Sequence, residues 1–298
     1  MYSGVMFTQQ LANGVVLGST YALFALGFTL MFGVLRVLNL TYGFYFSAGA
    51  LVALGLARMF GAPIWLVLPA GALAAGVLAV VLDWLLLTPL RRAKAPELTT
   101  LMVTLGAVLV LYSAMTVWLG TEIRRFPPGL ISHEAVMIGD TRFGFSQLLI
   151  VVTTLVLVVA LLVLMKSSRL GLSIRAVAEN EDAARLMGVN VPLTVAMVSF
   201  LSGVMGGTAG VLIGLNFNAI QPFMGEHMML RGFAVIIIGG LGDIRGALLA
   251  GLALGVAEVM IAGYVDSSLK EGLAFALMVL VLWIKPSGLF GQAVGKRA

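Results

Sequence analysis

The sequence contains no cysteine in 298 residues, which excludes disulfides, thiolate catalysis and cysteine-ligated metals. With only two histidines, a histidine-rich metal site is not expected. His133-Glu134 is followed by Ala-Val-Met, so the zinc-protease pattern of two histidines four residues apart fails. No GxxxxGK[ST] pattern occurs, so this chain is not itself an ATPase. We expect it to bind no cofactor or metal.

Charge is also scarce. Charged residues make up 10% of the chain, hydrophobic residues 60%, and the mean hydropathy is +1.08. Soluble domains carry roughly 25% charged residues, and a soluble fold of this composition would expose large apolar patches. The basic clusters are small and flanked by apolar runs, which argues against nucleic-acid binding. The composition therefore predicts an integral membrane protein.

Long charge-free runs mark the predicted spans. Because these runs are continuous rather than alternating, they predict helices and not a barrel. The expected fold is an all-α polytopic membrane protein with about eight transmembrane helices, plus a short broken or re-entrant helix near 232–242. The predicted spans are 8–33, 43–60, 63–87, 98–119, 145–165, 193–215, 246–264 and 271–285. No basic residue precedes Arg36, so no cleavable signal peptide is expected.

The distribution of basic residues predicts the orientation. Loops 88–97 and 166–192 are separated by two spans and are both basic, so both are expected in the cytoplasm. Loop 120–144 is nearly balanced in charge and is then outside, as is the N-terminus. The tail with Lys296 and Arg297 should be inside, which requires 232–242 to cross as part of a broken helix. If segment 232–242 instead enters the membrane and returns to the same side, the C-terminal tail lies outside the cell membrane.

Two apolar regions are interrupted by glycines and polar residues. Broken helices at membrane depth occur where they line a cavity, and transporters use them as substrate sites. In Asn39-Leu-Thr-Tyr-Gly43 the donors and acceptors favour such a role. For 239–246 a hinge and an ordinary interfacial turn are equally compatible with the sequence. The candidate pathway residues here are Asn39, Thr41, Tyr42 and Gly43, and the candidate hinge residues are Gly239, Gly240, Gly242 and Gly246.

Two acidic residues fall within apolar runs. Glu258 is a functional candidate because an intramembrane carboxylate is costly, but a paired or protonated glutamate that fixes helix packing fits equally well. Asp83 precedes Arg91 and Arg92 by about two helical turns, which favours an interfacial charge pair.

Loop 166–192 carries the signals of a short cytoplasmic helix. Asn180 can cap its N-terminus, acidic residues fill its first turn, and Gly188 suits its C-terminal end. Two small residues, Ala183 and Ala184, suit the groove of a partner protein. Lipid headgroups are a less suitable partner, because anionic lipid attracts Lys and Arg rather than acidic residues.

The segment Glu181-Asp-Ala-Ala-Arg-Leu-Met-Gly188 resembles the coupling loop of ABC-importer permeases. Further segments extend the resemblance to the branched-chain amino-acid permease family, in its shorter subunit type. They are Asn39-Leu-Thr-Tyr-Gly43, Thr88-Pro-Leu-Arg91, Ser168-Arg-Leu-Gly171, Arg175-Ala-Val-Ala-Glu179, Gly239-Gly-Leu-Gly242, Gly246-Ala-Leu-Leu-Ala-Gly251 and Lys285-Pro-Ser-Gly-Leu-Phe290. The order and spacing of these segments carry the resemblance together.

The resemblance implies one permease domain over residues 1–298 in a bacterial inner membrane. It implies a second permease subunit, two cytoplasmic ATPases that use the ATP, and a periplasmic binding protein. The implied ATPase-coupling residues are Glu181, Ala183, Ala184, Arg185 and Gly188. Loop 120–144 and segment 216–227, with Asn216 and Asn218, are expected to face the binding protein.

The implied substrate is a branched-chain or related hydrophobic amino acid. Asn216, Asn218 and Glu258 are further candidate pathway residues. The neutral polar groups of the pathway, including the two asparagines, suit a zwitterion with an apolar side chain. In the resembled family the first motif usually reads Asn-x-Ala-His-Gly followed by an acidic or polar residue, and Thr41, Tyr42 and Phe44 depart from it. Asp243-Ile-Arg-Gly246 departs from the family's Ser-Ile-Pro-Gly. Urea, amides and aromatic acids therefore stay open as substrates. An ion-coupled secondary transporter or channel is the alternative function.

Overall fold

The protein was analysed as a computed structural model that describes residues 2–130, 135–138 and 141–291. The helices in this part of the chain are α1 Tyr2–Leu35, α2 Tyr42–Phe60, α3 Ile64–Leu82, α4 Thr88–Arg92, α5 Glu97–Leu119, α6 Phe145–Ser167, α7 Arg169–Glu179, α8 Glu181–Leu186, α9 Val191–Phe217, α10 Met224–Gly239, α11 Ile244–Tyr264 and α12 Lys270–Ile284. His133, Glu134, Asp140, Lys296 and Arg297 lie outside the described residues.

The predicted all-α polytopic fold is confirmed. Within the described residues, seven helices are long and apolar enough to cross a membrane, and Gly272–Ile284 is a shorter apolar helix. A π-helical turn, Asp83–Leu87, joins α3 to α4 and ends just before Pro89. The wider turn has a physical reason, because a proline ring clashes with the carbonyl four residues earlier in a regular α-helix. A 3-10 turn, Ser267–Leu269, precedes α12.

Loop 120–144 contains a β-hairpin that the sequence analysis did not anticipate. Strands β1 Ala135–Ile138 and β2 Thr141–Gly144 pair antiparallel, with Ala135 opposite Gly144. The side chain of Gln9 in α1 bonds both the backbone N–H and the carbonyl of Arg142, each at 3.0 Å. The hairpin is therefore fixed to the N-terminal end of α1.

Long-range contacts define the two ends of the bundle. At one end, Arg124 and Ile220 exchange backbone hydrogen bonds of 2.8 Å, which join loop 120–144 to the connection before α10. At the other end, Arg36 donates to the carbonyl of Ala178 at 2.7 Å, which joins the end of α1 to loop 166–192. This distribution agrees with the loop parity expected from the sequence.

The segment predicted at 232–242 is longer in the structure. Helix α10 begins at Met224, and its chain passes from the connection at 218–223 to the end of the bundle that holds Gly33 and Gly242. The sequence-based start was wrong because Glu226, His227 and Arg231 interrupt the apolar pattern of this helix. In the structure Glu226 and His227 are exposed, and Arg231 is partly buried.

The core consists of close helix pairs. Helices α1 and α11 pack through Gly18 and Gly255, where a Cβ on Gly255 would lie 2.2 Å from the Cα of Gly18. Helices α2, α3 and α9 meet at Gly49, Gly71 and Gly207 in the same manner. Small residues permit this close approach of helix backbones in lipid.

Candidate functional site

The Asn39–Gly43 segment folds back along α1. The amide of Asn39 contacts the sulfur of Met31 at 3.7 Å, and the hydroxyl of Tyr42 donates to the carbonyl of Phe24 at 2.8 Å. Since Phe24 precedes the end of α1 at Leu35 by about three turns, α2 begins well inside the bundle. The helix break predicted here is therefore present at depth.

The polar groups of this break bond to one another, and Asn39 also lines a small cavity of about 60 Å³ together with Leu87 and Arg91. Asn39 Oδ1 accepts hydrogen bonds from the backbone N–H and the hydroxyl of Thr41, at 3.0 and 2.6 Å. The Thr41 hydroxyl also lies 2.9 Å from that of Tyr45. These contacts satisfy the backbone where the helix is interrupted, as burial requires. They suit a positioning role for Asn39 and Thr41.

Tyr42 and Gly43 fix the neighbouring helices. The Tyr42 ring is fully buried and stacks on Phe28 at a centroid distance of 5.2 Å. Gly43 lies against α10, because a Cβ on it would be 2.7 Å from the carbonyl oxygen of Gly225. Both residues therefore determine how α1, α2 and α10 pack.

Asn216 and Asn218 lie at the end of the bundle that contains loop 120–144. Asn218 has a left-handed backbone, with φ of 45°, and accepts a hydrogen bond from the N–H of Phe126 at 2.9 Å. Asn216 accepts a longer one, 3.4 Å, from the hydroxyl of Ser146. The two asparagines hold α9 to the loops at this end, and Asn218 is exposed.

Glu258 is buried and paired. Its side chain is 3% exposed, the Tyr21 hydroxyl donates to its Oε2 at 2.6 Å, and the Nε of Arg231 lies 3.6 Å from its Oε1. The Arg231 guanidinium carbon is also 5.9 Å from the centre of the Tyr21 ring. Sequence reasoning missed Arg231 because it placed this residue before the apolar segment. Three helices, α1, α10 and α11, supply the cluster.

The Tyr21–Arg231–Glu258 cluster lines a cavity of about 350 Å³. The cavity lies toward the end of the bundle that holds loop 120–144, since Ile123 and Gln221 also line it. Its volume is within the usual range of small-ligand pockets, roughly 300–1,000 Å³. The cavity combines the Arg231–Glu258 pair with apolar walls, and His227 and Lys270 also line it.

The predicted cytoplasmic helix exists as α8, and its caps have the expected geometry. Asn180 Oδ1 accepts a hydrogen bond from the N–H of Ala183 at 3.0 Å, and Gly188 has φ of +85°. Glu181 and Arg185 form an exposed ion pair of 2.8 Å. Asp83 and Arg91, at the end of the bundle near α8, form the predicted interfacial pair at 2.7 Å.

The exposed surface of α8 differs from the expectation. Ala184 is 4% exposed and packs with Val177, Val191 and Val195, so it anchors α8 instead of facing outward. Ala183 is exposed. Leu186 and Met187, which the sequence analysis did not select, are 89% and 84% exposed. The signal for them in the sequence was a pair of large apolar residues directly after Arg185, next to the acidic residues Glu181 and Asp182.

The chain that follows α12 forms backbone hydrogen bonds to the glycine turn 239–242. The backbone N–H groups of Leu289 and Phe290 donate to the carbonyls of Ile238 and Gly239, at 2.9 and 3.0 Å. A Cβ on Gly246 would lie 2.2 Å from the carbonyl oxygen of Gly239, so these two helix ends touch. Gly240 and Gly242 have positive φ values, 108° and 86°.

Comparisons with known proteins agree with one another. A family model described as branched-chain amino acid transport system / permease component matches residues 10–282. The chain is 32% identical to the high-affinity branched-chain amino acid transport system permease protein LivH of Escherichia coli (strain K12), with 96% of each chain covered. It is 30% identical to the corresponding protein BraD of Pseudomonas aeruginosa, also with 96% of each chain covered.

A second permease protein and one solved structure are more distant. LivM of Escherichia coli (strain K12) is 26% identical, over 90% of this chain and 67% of that protein. The solved structure of PsaBC from Streptococcus pneumoniae in complex with Fab matches with a TM-score of 0.52 and 11% identity, over 97% of this chain and 98% of that chain. At that identity the match shows a shared fold alone.

Proposed function

The chain belongs to the branched-chain amino acid transport system permease component family, and from that membership we propose that it is a transmembrane subunit of an ATP-driven ABC importer. Its cargo would be a branched-chain or related hydrophobic amino acid, as the names of the LivH and BraD relatives indicate. The chain would form part of the translocation pathway without carrying out catalysis.

The exposed helix α8 is the observation that carries the ATP-driven mechanism. It lies between α7 and α9, and its N-terminal cap, Asn180, and the turn at Gly188 fix its ends. Ala184 anchors it to the bundle, while Leu186 and Met187 point away from the described residues. Exposed large apolar residues on a rigid helix suit a groove in a partner protein.

We assign the partners by the same reasoning. A second permease subunit, of the kind represented by LivM, would complete the pathway. Two cytoplasmic ATPases would hydrolyse the ATP, and one of them would dock at α8. A periplasmic binding protein would deliver the amino acid at loop 120–144 and segment 216–227. The assembly would lie in a bacterial inner membrane among its lipids, with no nucleic acid and no cofactor bound by this chain.

Reconstituted transport tests the proposal directly. The chain would be purified with its second permease and ATPase subunits, placed in vesicles, and supplied with the binding protein and radiolabelled leucine. We expect leucine uptake that requires ATP on the side of the vesicle membrane where the ATPases are bound. Uptake that persists without ATP and follows a sodium or proton gradient would instead establish the ion-coupled transporter.

Docking at α8 can be tested separately. The substitutions Leu186→Ser and Met187→Ser remove apolar contact area that would be worth roughly 1.5–3 kcal/mol per side chain if fully buried. We expect them to lower the yield of co-purified ATPase and to leave the thermal unfolding of the permease unchanged, because both residues are exposed. Met59→Ser is the matched control, since Met59 is 79% exposed on α2 at the other end of the bundle. Equal ATPase yield from all three variants would contradict docking at α8.

A further inference from the structure

Three cationic side chains surround another cavity, at the end of the bundle that holds loop 166–192. Its volume is about 790 Å³, and the cations are Lys166 near the end of α6, Arg175 in α7 and Arg245 in the first turn of α11. The volume is within the usual range of small-ligand sites, roughly 300–1,000 Å³. Three segments that are far apart in the sequence therefore place positive charge around one space.

The three cations are available to a ligand. All three residues are exposed, and none of their side chains forms an ion pair or a hydrogen bond with another residue of the described chain. The acidic residue Asp243 also lines the cavity, and its Oδ1 already accepts a hydrogen bond of 2.7 Å from the N–H of Gly246. An anion in the cavity would therefore gain contacts without breaking an ion pair.

The cavity next to α8 differs in this respect. It has a volume of about 820 Å³ and is lined by four basic and three acidic residues. Two of the basic residues, Arg91 and Arg185, already form ion pairs with Asp83 and Glu181. That cavity offers an anion less uncompensated charge, and its exposed residue Arg92 supplies a matched control for the experiment below.

Apolar side chains lie beside the cations on the membrane side. Leu162 lies one helical turn before Lys166 and Leu249 one turn after Arg245, and these leucines are 39% and 50% exposed. Because α6 ends and α11 begins at this end of the bundle, both leucines lie deeper in the membrane than the basic residues. The exposed positions of α6 within 152–163 are all apolar, as expected of a helix surface that faces acyl chains.

We infer that this cavity binds the headgroup of an anionic phospholipid. Lys166, Arg175 and Arg245 contact its phosphodiester, and its acyl chains lie along the exposed leucines of α6 and α11. Basic pockets between transmembrane helices on the cytoplasmic side suit such headgroups. Arginine suits phosphate in particular, because its guanidinium donates two parallel hydrogen bonds to phosphate oxygens.

A soluble phosphate compound would match the cations alone, whereas a phospholipid also matches the apolar side chains beside them. The inference concerns the lipid contacts of this chain, and it does not depend on the cargo of the transporter.

Competition binding tests the site and the source of the phosphate. The full-length chain in a non-ionic detergent would be titrated with fluorescent phosphatidylglycerol, and displacement of this probe would be followed by anisotropy. We expect unlabelled phosphatidylglycerol to compete about tenfold more strongly than phosphatidylcholine, because the cations repel the choline group. Inorganic phosphate should not displace the probe, since it lacks acyl chains.

Two outcomes of the competition would contradict the inference. Equal competition by phosphatidylcholine would show that the site does not select an anionic headgroup. Displacement by inorganic phosphate as effective as that by phosphatidylglycerol would establish a site for free phosphate and overturn the lipid assignment.

Substitutions locate the binding site. We expect Arg175→Gln and Arg245→Gln each to raise the Kd for phosphatidylglycerol about fivefold, the effect of removing one cation near an anionic lipid. Arg92→Gln makes the same chemical change at an exposed position of the same end of the bundle, and it should change the Kd by less than about twofold. Equal weakening by all three substitutions would show a general attraction to anionic lipid and overturn the site. Unchanged binding in Arg175→Gln and Arg245→Gln would overturn it as well.

Lysine variants separate the loss of charge from a disturbed fold. Arg175→Lys and Arg245→Lys keep the positive charge, so we expect them to bind phosphatidylglycerol more tightly than the glutamine variants do. All four variants should unfold at the native temperature in lipid-free detergent, because both arginines are exposed. Lysine variants that bind as weakly as the glutamine variants would contradict recognition of the headgroup by charge.

Discussion

The hydroxyl of Tyr42 donates a hydrogen bond to the carbonyl of Phe24, 2.8 Å away and within the preceding helix. This bond joins the first turn of α2 to the middle of α1, where the chain has just folded back along itself.

Tyr42→Phe should destabilise the protein modestly. The substitution keeps the stacking on Phe28 and removes one buried hydrogen bond, so we expect a loss of about 0.5–1.5 kcal/mol. Thermal unfolding in detergent would measure it. Tyr264→Phe, at the 52% exposed end of α11, is the control and should unfold at the native temperature. No difference between the two variants would contradict a stabilising role for this bond.

Gly27→Ala should be costly for a steric reason. A Cβ on Gly27 would lie 2.3 Å from the Tyr42 hydroxyl and 3.0 Å from the Cβ of Met205, so the packing of α1 on α2 and α9 must shift. Overpacking of this kind costs roughly 1–3 kcal/mol. Gly55→Ala is the matched control, because nothing lies within 4 Å of its added Cβ. Gly55→Ala replaces a glycine that disfavours the helix, at no steric cost. The unfolding temperature of this variant should therefore stay the same or rise.

Glu258 and Arg231 should be energetically coupled. Arg231→Leu leaves a buried carboxylate without its cation, and we expect a cost at the lower end of roughly 3–5 kcal/mol because Arg231 is partly exposed. The double variant with Glu258→Leu should cost less than the sum of the single variants. A double-mutant cycle on detergent unfolding gives the coupling, which we expect to be about 0.5–3 kcal/mol. A coupling of zero would indicate that the two side chains do not interact.

Gly240→Ala should disrupt the contact between the 239–242 turn and the chain that follows α12. Gly240 has φ of +108°, and its added Cβ would lie 2.4 Å from the N of Gly291. The left-handed backbone costs an alanine roughly 1–2 kcal/mol before the steric contact is counted. We expect a lower yield of folded protein and faster proteolysis of the C-terminal segment. Gly272→Ala in α12, with no atom within 4 Å of the added Cβ, should behave as the native chain does.

The orientation predicts which loops an impermeant reagent reaches. Glu122→Cys lies at the end of the bundle joined to Asn218, and Asp182→Cys lies on α8 at the other end. In intact cells with a permeable outer membrane, the first should be labelled from outside and the second only after lysis. Labelling in the reverse order would overturn the assignment of sides and would leave the fold unchanged.

The sequence by itself determined that this protein lies in lipid, and it predicted most of the helices. Scarce charge and long apolar runs leave lipid as the compatible environment, and lipid requires continuous helices because every backbone group must be satisfied internally. The helix at α8 was equally predictable, since its capping residues act within a few positions of one another. The Asp83–Arg91 pair followed from helical spacing in the same way.

Tertiary structure decided what depends on distant residues. The start of α10 was misplaced because charged and polar residues interrupt its apolar pattern, and one of them, Arg231, pairs with Glu258 on another helix. Ala184 is buried because Val191 and Val195 of the next helix cover it, which local spacing does not encode. The bonds from Leu289 and Phe290 to the glycine turn likewise join segments far apart in the chain. Local capping and hydropathy set the elements, whereas long-range packing and charge pairing set their boundaries and the site between them.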